Sequence, residues 1–451
     1  MSERVPLRSV LSGRRGGFLA ALLLAEFAAA MQGIAYSTVL PVIADDLNGF
    51  PLFGATLAAG SIAAVLMLSF APAVLDRVPP SIVLFAATLL YLAGAAIAVI
   101  APAMEWVLAG TVVRDVAAGL FGGFGMGAIG TLFDARERPR VFGLFALVWL
   151  LPSIVGPPLN ALIAEWLDWR WAIGWPAVLV VVARVLMGLT LTTVPWRRGT
   201  GRRVDAPIGI VVAVGLAVGA WGSATASPLG VAALIVGGLI AGGAIVAFLL
   251  RGGGAASRSL LAFALLCATY FGVSELLALT IVTGLGSTVT IASIAVGGGL
   301  LAWSLVGLRP RPDARPDPVV LGVVLHAVAI TVILVAITLG GTVGVAGVIT
   351  AAVLAGAGMG MAYPLLTSEP FSVSAGSGAS DTSPPTTTVG ALIAFAETSA
   401  TAWSALVAGG VYSALDATGW GPRPALQIVF AVLAVLSIVS IAASAARRLR
   451  R

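Results

Sequence analysis

The sequence predicts an all-α polytopic membrane protein with fourteen transmembrane helices. Three observations carry that prediction. The chain is 59% hydrophobic and 10% charged, with a mean hydropathy of +1.06. Soluble domains carry about 25% charged residues, so lipid must be the solvent for this much apolar surface. The apolar stretches are long and lack period-two alternation, which selects helices over barrel strands, because backbone groups in hydrocarbon must bond internally. All 25 basic residues are Arg, and they cluster in every second gap between the apolar stretches, the positive-inside pattern of an inner-membrane protein.

The elements follow in order. Residues 1–17, with Arg4, Arg8, Arg14 and Arg15, form a cytoplasmic tail before a signal-anchor helix. Spans are expected near 18–42, 51–75, 80–101, 105–132, 141–164 and 171–194, making an N-terminal six-helix bundle over 18–194. Residues 195–258 form a linker holding two further spans, near 207–225 and 229–250. The stretch from Ala206 to Leu250 carries no charge and has basic loops at both ends. Ends on the same side require an even number of crossings, and Ser-Ala-Thr-Ala-Ser-Pro at 223–228 is the natural turn between two. A C-terminal six-helix bundle over 259–446 follows, with spans near 259–284, 287–307, 319–339, 342–366, 387–413 and 424–446, and then a basic cytoplasmic tail, 447–451. Arg309 to Pro318 alternates Pro with charge and is expected to be extended. Ser368 to Thr388, rich in Ser, Thr, Gly and Pro, is expected to be the longest loop.

The loops fix an orientation. The gaps assigned to the cytoplasm hold Arg77, then Arg136, Arg138 and Arg140, then Arg197, Arg198, Arg202 and Arg203, then Arg251 and Arg258, then Arg309, Arg311 and Arg315. The opposite gaps hold only Arg170 and Arg423 among basic residues, beside Asp45, Asp46, Glu105, Glu165, Asp168 and Asp416. Both termini are therefore expected in the cytoplasm of a bacterial cell.

Several function classes fall away. The Arg clusters sit in short loops and form no continuous basic face, against nucleic-acid binding. A lone Cys267 and a lone His326 exclude an internal disulfide, a Cys-based metal cluster and a multi-His site. There is no Lys for a phosphate-binding loop, no long soluble segment for an ATPase, and no nucleophile–base set for an enzyme. No cofactor is expected. Any pumping must draw on an ion gradient, worth about 2.3 kcal/mol per charge at 100 mV.

The residues that could carry chemistry are the ionisable groups inside spans: Glu26, Arg114, Asp115, Arg184, Glu275, His326 and Glu397. Each costs about 2.5–3.5 kcal/mol in a bilayer and is expected to face a cavity or a partner. Four carboxylates against two arginines leave an acidic surplus, as a proton-coupled carrier needs. Arg114 and Asp115 are about 100° apart around their helix, so one is expected to face the cavity and the other to pair with an adjacent helix. Helix-tying ion pairs are the competing reading for each of these groups, and Glu275 could instead reach interfacial water. His326 reads more readily as a packed or pore-lining residue than as a proton relay. Gly119, Gly122, Gly123, Gly125 and Gly127, and Gly356, Gly358 and Gly360 ahead of Tyr363-Pro364, read as close helix packing.

The chain resembles the major facilitator superfamily, in its fourteen-helix drug:proton antiporter branch. The likeness covers the whole chain in helix count and topology. Gly143, Gly156 and Pro157 match the spacing of the antiporter signature in the fifth helix, while Pro152, Asn160 and Ala161 stand where glycines are usual. Trp169-Arg170-Trp171 is similar to a segment that often follows it. Asp76 and Arg77 remain of the loop motif after the second helix, which acts in the family as a conformational latch; Pro72, Pro79 and Pro80 replace its other key positions. Arg114 remains of the fourth-helix motif, and Glu397 matches an acidic position in the thirteenth. The resemblance implies two halves rocking about a central cavity lined by helices 1, 4, 9 and 12. It makes Glu26, Asp115, Glu397 and Glu275 the proton-coupling candidates, with Arg114 as a cavity or ion-pair residue. The implied function is proton-coupled export of amphipathic or hydrophobic small molecules such as drugs, by a monomer in contact with small-molecule substrate, protons and membrane lipids. A carrier of one physiological substrate (a metabolite, lipid or siderophore exporter, or an importer) stays open, as does a non-transporting sensor or scaffold.

Overall fold

A computed structural model of the chain describes residues 11–133, 137–190, 206–225, 227–251, 253–308, 315–376 and 386–447. Among the described residues, fourteen helical rods are found where fourteen spans were expected. They are α1 (Gly13–Asp46), α2 (Phe53–Arg77), α3 (Pro80–Val99), α4 (Met104–Leu132), α5 (Arg138–Trp166) and α6, which runs as Trp169–Gly174 and Pro176–Thr190. The central pair is α7 (Ala206–Ser223) and α8 (Pro228–Leu250). The second half holds α9 (Gly254–Leu279, extended by a π-helical turn Thr280–Gly284), α10 (Val289–Gly307), α11 (Pro318–Leu339), α12 (Gly341–Gly376), α13 (Thr386–Ala417) and α14 (Pro422–Ala446). A 3-10 turn, Phe50–Leu52, precedes α2. Among the described residues eleven helices have the length and hydropathy to cross a membrane, and Pro207–Ser223 is a shorter apolar one.

Local chemistry explains many of the boundaries. Proline occupies the first turn of α3, α8, α11 and α14, where its missing N–H costs nothing. Ser227, Thr288 and Asp317 accept backbone N–H groups at the starts of α8, α10 and α11. The region expected to be one long loop after Ser368 is different. Helix α12 continues to Gly376 with Pro370 inside it, and α13 starts at Thr386, leaving 377–385 outside the described residues. Composition alone overstated that loop, because Ser and Thr are helix-compatible once their hydroxyls bond carbonyls a turn back, as Thr367 and Ser368 do. Most of the expected extended stretch at 309–318 also lies outside the described residues; Pro318 itself begins α11.

We call the end holding the start of α1 and the end of α14 the terminal end, and the opposite one the far end. The two halves meet along two seams, α2 against α13 and α5 against α10. Gly54 of α2 lies against the backbone of Gly409 and Gly410. At the far end Gly54 N donates to Ser413 Oγ (3.0 Å), which donates to the Phe50 carbonyl (3.1 Å), and Phe53 meets Tyr412 edge-on at 6.1 Å. Thr290 N donates to Glu165 Oε1 (3.0 Å) across the other seam. These three hydrogen bonds between the halves all lie at the far end. The α7–α8 hairpin lies over the first seam, with Gly209 against Ser69 of α2 and Gly219 against Leu406 of α13. Trp403 of α13 donates to the Gly238 carbonyl of α8 at 2.8 Å.

Candidate functional site

Among the described residues, two polar clusters hold candidate groups. The first belongs to the N-terminal half. Arg114 reaches back along α4 and grips its own neighbour, with Nε to Asp115 Oδ1 at 2.9 Å and Nη2 to Oδ2 at 3.0 Å. This corrects the expectation that the two would diverge: the Cα directions do, but the long guanidinium stem folds across the difference. The Arg114 guanidinium also lies over the Tyr36 ring of α1, 4.4 Å from its centroid. Tyr91 of α3 feels both charges and donates to Gln32 Oε1 at 2.9 Å, while Gln32 Nε2 donates to the Ile173 carbonyl of α6 at 3.2 Å. Asp115 packs onto Gly60 of α2, where any Cβ would collide with the carboxylate. The cluster thus ties α1, α2, α3, α4 and α6 together.

The second cluster spans the two halves. Glu397 of α13 accepts from the Tyr363 hydroxyl of α12, at 3.2 Å to Oε1 and 3.0 Å to Oε2. Glu26 of α1, in the other half, is within electrostatic reach of both residues. Buried Cys267 of α9 is within electrostatic reach of Glu397 and Tyr363. Glu26, Tyr363 and Glu397 are all half-buried. Of the candidate carboxylates, Glu26 and Glu397 are within electrostatic reach of each other, while Asp115 is paired with Arg114.

Glu275 sits elsewhere on α9. It is half-buried, and among the described residues no hydrogen-bond donor or cation pairs with it. His326 is the packed residue expected. Its Nε2 lies 2.9 Å from the Ala355 carbonyl and its Nδ1 3.3 Å from Thr269 Oγ1, so it joins α9, α11 and α12. Arg184 sends Nη2 to the Ser81 carbonyl at 3.4 Å, a tie between α6 and α3.

The motif residues occupy seams and ends. Gly156 lets α5 approach Met31 and Ile34 of α1, and Pro157 packs against Gly297 of α10. Gly143 lies within α5. Arg77 ends α2, exposed and in no ion pair among the described residues; the side chain of Asp76 lies outside the described set. Arg170 joins Asp46 (3.7 Å) and Asp168 (3.4 Å) and donates to the Ala101 carbonyl (3.1 Å), closing the far end of the first half.

One feature of the second half carried no sequence signal. Tyr363 meets Phe263 and Trp303, each at 5.3 Å between ring centroids, and Trp303 meets Tyr270 at 5.3 Å and Phe271 at 6.2 Å. These rings come from α9, α10 and α12, and only the fold assembles them.

Comparison with known proteins agrees with this architecture. The chain is similar to an auto-inhibited peptide transporter of the POT family, with a TM-score of 0.66 over 96% of this chain and 97% of that one, at 17% identity, so the likeness is one of fold. It is 24% identical over 178 residues to the multidrug transporter protein MdtP of Bacillus subtilis, covering 39% of this chain and 33% of that protein. It is 26% identical over 175 residues to the multidrug efflux pump SdrM of Staphylococcus aureus, covering 37% of each. The matched segments span only about a third of the length of these curated relatives. Over residues 22–380, however, the chain matches the model of one family throughout, and with fourteen helices in two seam-joined halves it belongs to the Major Facilitator Superfamily.

Proposed function

We propose that this protein is a secondary active transporter that exports amphipathic or hydrophobic small molecules in exchange for protons. The observation that carries the reading is the Glu26–Tyr363–Glu397 cluster. Glu397 of one half accepts from the Tyr363 hydroxyl, and Glu26 of the other half is within electrostatic reach of both. A carboxylate inside the membrane is costly to keep, and carrying a proton is the purpose this reading gives to the cluster. Protonation of either carboxylate would relieve the like-charge repulsion between α1 and α12–α13, elements on opposite sides of the interface about which the halves would rock. Glu397 is the leading proton-coupling residue in this account and Glu26 its counterpart. Asp115 is assigned to structure, because Arg114 already neutralises it.

The far-end contacts fit one limb of such a cycle, in which the seams close at that end and the path opens toward the terminal end. The Arg pattern supports a bacterial inner membrane with both termini cytoplasmic, and a monomer among membrane lipids suffices for the mechanism. No cofactor enters; the proton gradient supplies the energy. The named multidrug relatives support drugs and dyes as the substrate class. The test is accumulation of a fluorescent dye in proteoliposomes under an imposed pH gradient. The account expects dye movement that stops when an uncoupler is added. Movement indifferent to the uncoupler would reject proton coupling, and none at all by a well-folded protein would reject the multidrug reading.

A further inference from the structure

Arg423 is one of two basic residues in the far-end gaps, where the positive-inside pattern disfavours cations. The other, Arg170, is taken up by Asp46 and Asp168. Arg423 is exposed at the start of α14 and pairs with no carboxylate among the described residues. Its Nε donates to the Gly284 carbonyl at 2.8 Å, at the end of the π-helical turn that follows α9. Neither Nη group makes a hydrogen bond among the described residues, so one edge of the guanidinium is open. That edge lies at the turn between α11 and α12. A Cβ on Gly340 would come within 3.4 Å of Nη1 and 3.6 Å of Nη2.

Between α11 and α12 a groove of about 250 Å³ reaches up to this turn. Thr331, Val335, Ala336 and Leu339 line it from α11, and Val343 and Gly347 from α12. Leu339 and Val343 flank the turn, and both are more than half exposed, as is Val335. Gly347 shapes the floor, because a Cβ there would meet that of Ala336 at 2.8 Å. The Thr331 hydroxyl donates to the Ala327 carbonyl at 2.8 Å, so it adds no free polar group to the wall. From Thr331 to Leu339 the groove follows about 12 Å of helix at 1.5 Å per residue. Half of a hydrocarbon core is about 15 Å. The groove is therefore nearly one leaflet deep, apolar along its length, and has a cation at the headgroup level. Those are the two ends of a phospholipid. The guanidinium fork matches a phosphate, and the groove takes one acyl chain.

We infer that Arg423 and the α11–α12 groove form a binding site for an anionic phospholipid of the far-end leaflet, with the phosphate on Arg423 and one chain between the two helices. The site is independent of the export reading. The bound lipid joins α14 to the α11–α12 turn and, through the Gly284 carbonyl, to the end of α9.

The experiment is native mass spectrometry of the purified full-length protein, titrated with dioleoylphosphatidylglycerol or with dioleoylphosphatidylcholine, and with glycerol phosphate as a soluble competitor. Native protein is compared with Arg423→Gln, Arg423→Lys, Val335→Trp and Leu239→Trp, each confirmed monodisperse. Native protein is expected to bind the first phosphatidylglycerol about tenfold more tightly than phosphatidylcholine, as charge-assisted bonding to phosphate favours. Arg423→Gln brings the two within twofold and leaves phosphatidylcholine binding unchanged. Arg423→Lys keeps most of the preference, whereas a role confined to capping Gly284 would make it as defective as Arg423→Gln. Val335→Trp fills the groove and weakens both lipids about fivefold or more. Leu239→Trp, at an exposed position on α8, changes neither. No preference in native protein, a preference that survives Arg423→Gln, or lipid binding untouched by Val335→Trp overturns the inference. So does competition by glycerol phosphate at the potency of the whole lipid, which would mark a free-anion site without a chain in the groove.

Discussion

Replacing Gly54 with Ala tests the seam that closes the far end. A Cβ at Gly54 would overlap the carbonyl of Gly409 and the amide of Gly410, which are backbone atoms and cannot rotate aside. Carbon atoms settle at about 3.5–4.0 Å, so α2 and α13 must separate by on the order of 1 Å before a methyl fits. Overpacking of this kind costs about 1–3 kcal/mol. Separation also stretches the 3.0 Å bond from Gly54 N to Ser413 Oγ, adding about 0.5–1.5 kcal/mol. Together that is roughly 1.5–4.5 kcal/mol against the far-end-closed conformation, and even the lower figure shifts a two-state equilibrium more than tenfold. Pulsed electron paramagnetic resonance reads the shift from spin labels at Asp45→Cys and Thr418→Cys, which are exposed far-end positions in opposite halves. Native Cys267 is buried and stays unlabelled. In Gly54→Ala the distance distribution is expected to move toward longer values while the protein remains monodisperse. A distribution superimposable on that of the parent would refute the claim that this contact holds the far end shut.

Three further outcomes follow from the same geometry. Asp115→Asn leaves the Arg114 guanidinium, 8% exposed, without its counter-charge, and breaking such a pair costs about 3–5 kcal/mol; the thermal midpoint in detergent should fall sharply, and Arg114→Met in the same chain should recover it, whereas a proton-coupling role would leave stability intact. Arg447→Gln removes a cation, 2% exposed, that sits 2.9 Å from Asp317 and 3.0 Å from Glu369, so the thermal midpoint should drop by a comparable amount, and an unchanged midpoint would show the network to be idle. Trp403→Phe deletes the 2.8 Å bond to the Gly238 carbonyl, and hydrogen exchange should rise in α8 with little change in α11; equal protection in both helices would show that the hairpin does not depend on this tie.

Fold and site were legible to different degrees. The fourteen rods follow from the length of apolar runs and from charge alternation, signals that belong to each segment alone. The helix ends near 376 and 386 did not, because Ser, Thr and Pro favour loops in isolation and yet continue a helix whose hydroxyls bond its own carbonyls. Glu26 and Glu397 could be singled out because intramembrane carboxylates are rare. That Tyr363 donates to Glu397, with Glu26 in electrostatic reach, depends on how α1, α12 and α13 cross, which no local pattern records. Arg114 misled for the opposite reason: helix angles place Cα atoms, but a long side chain chooses its partner by reach. The aromatic run from Tyr363 to Phe271 had no signal at all, since Trp303 and Phe271 are ordinary members of apolar helices until α9, α10 and α12 are packed.

The central claim is that Glu397 couples proton movement to substrate movement. The most direct measurement is proton flux from proteoliposomes, followed with an entrapped pH indicator, when a dye such as ethidium is added to native protein and to Glu397→Gln. The account predicts a dye-dependent proton flux for the native protein, and none for Glu397→Gln, although that variant still exchanges dye for dye. A full proton flux in Glu397→Gln, or its absence in native protein that transports dye, would contradict it.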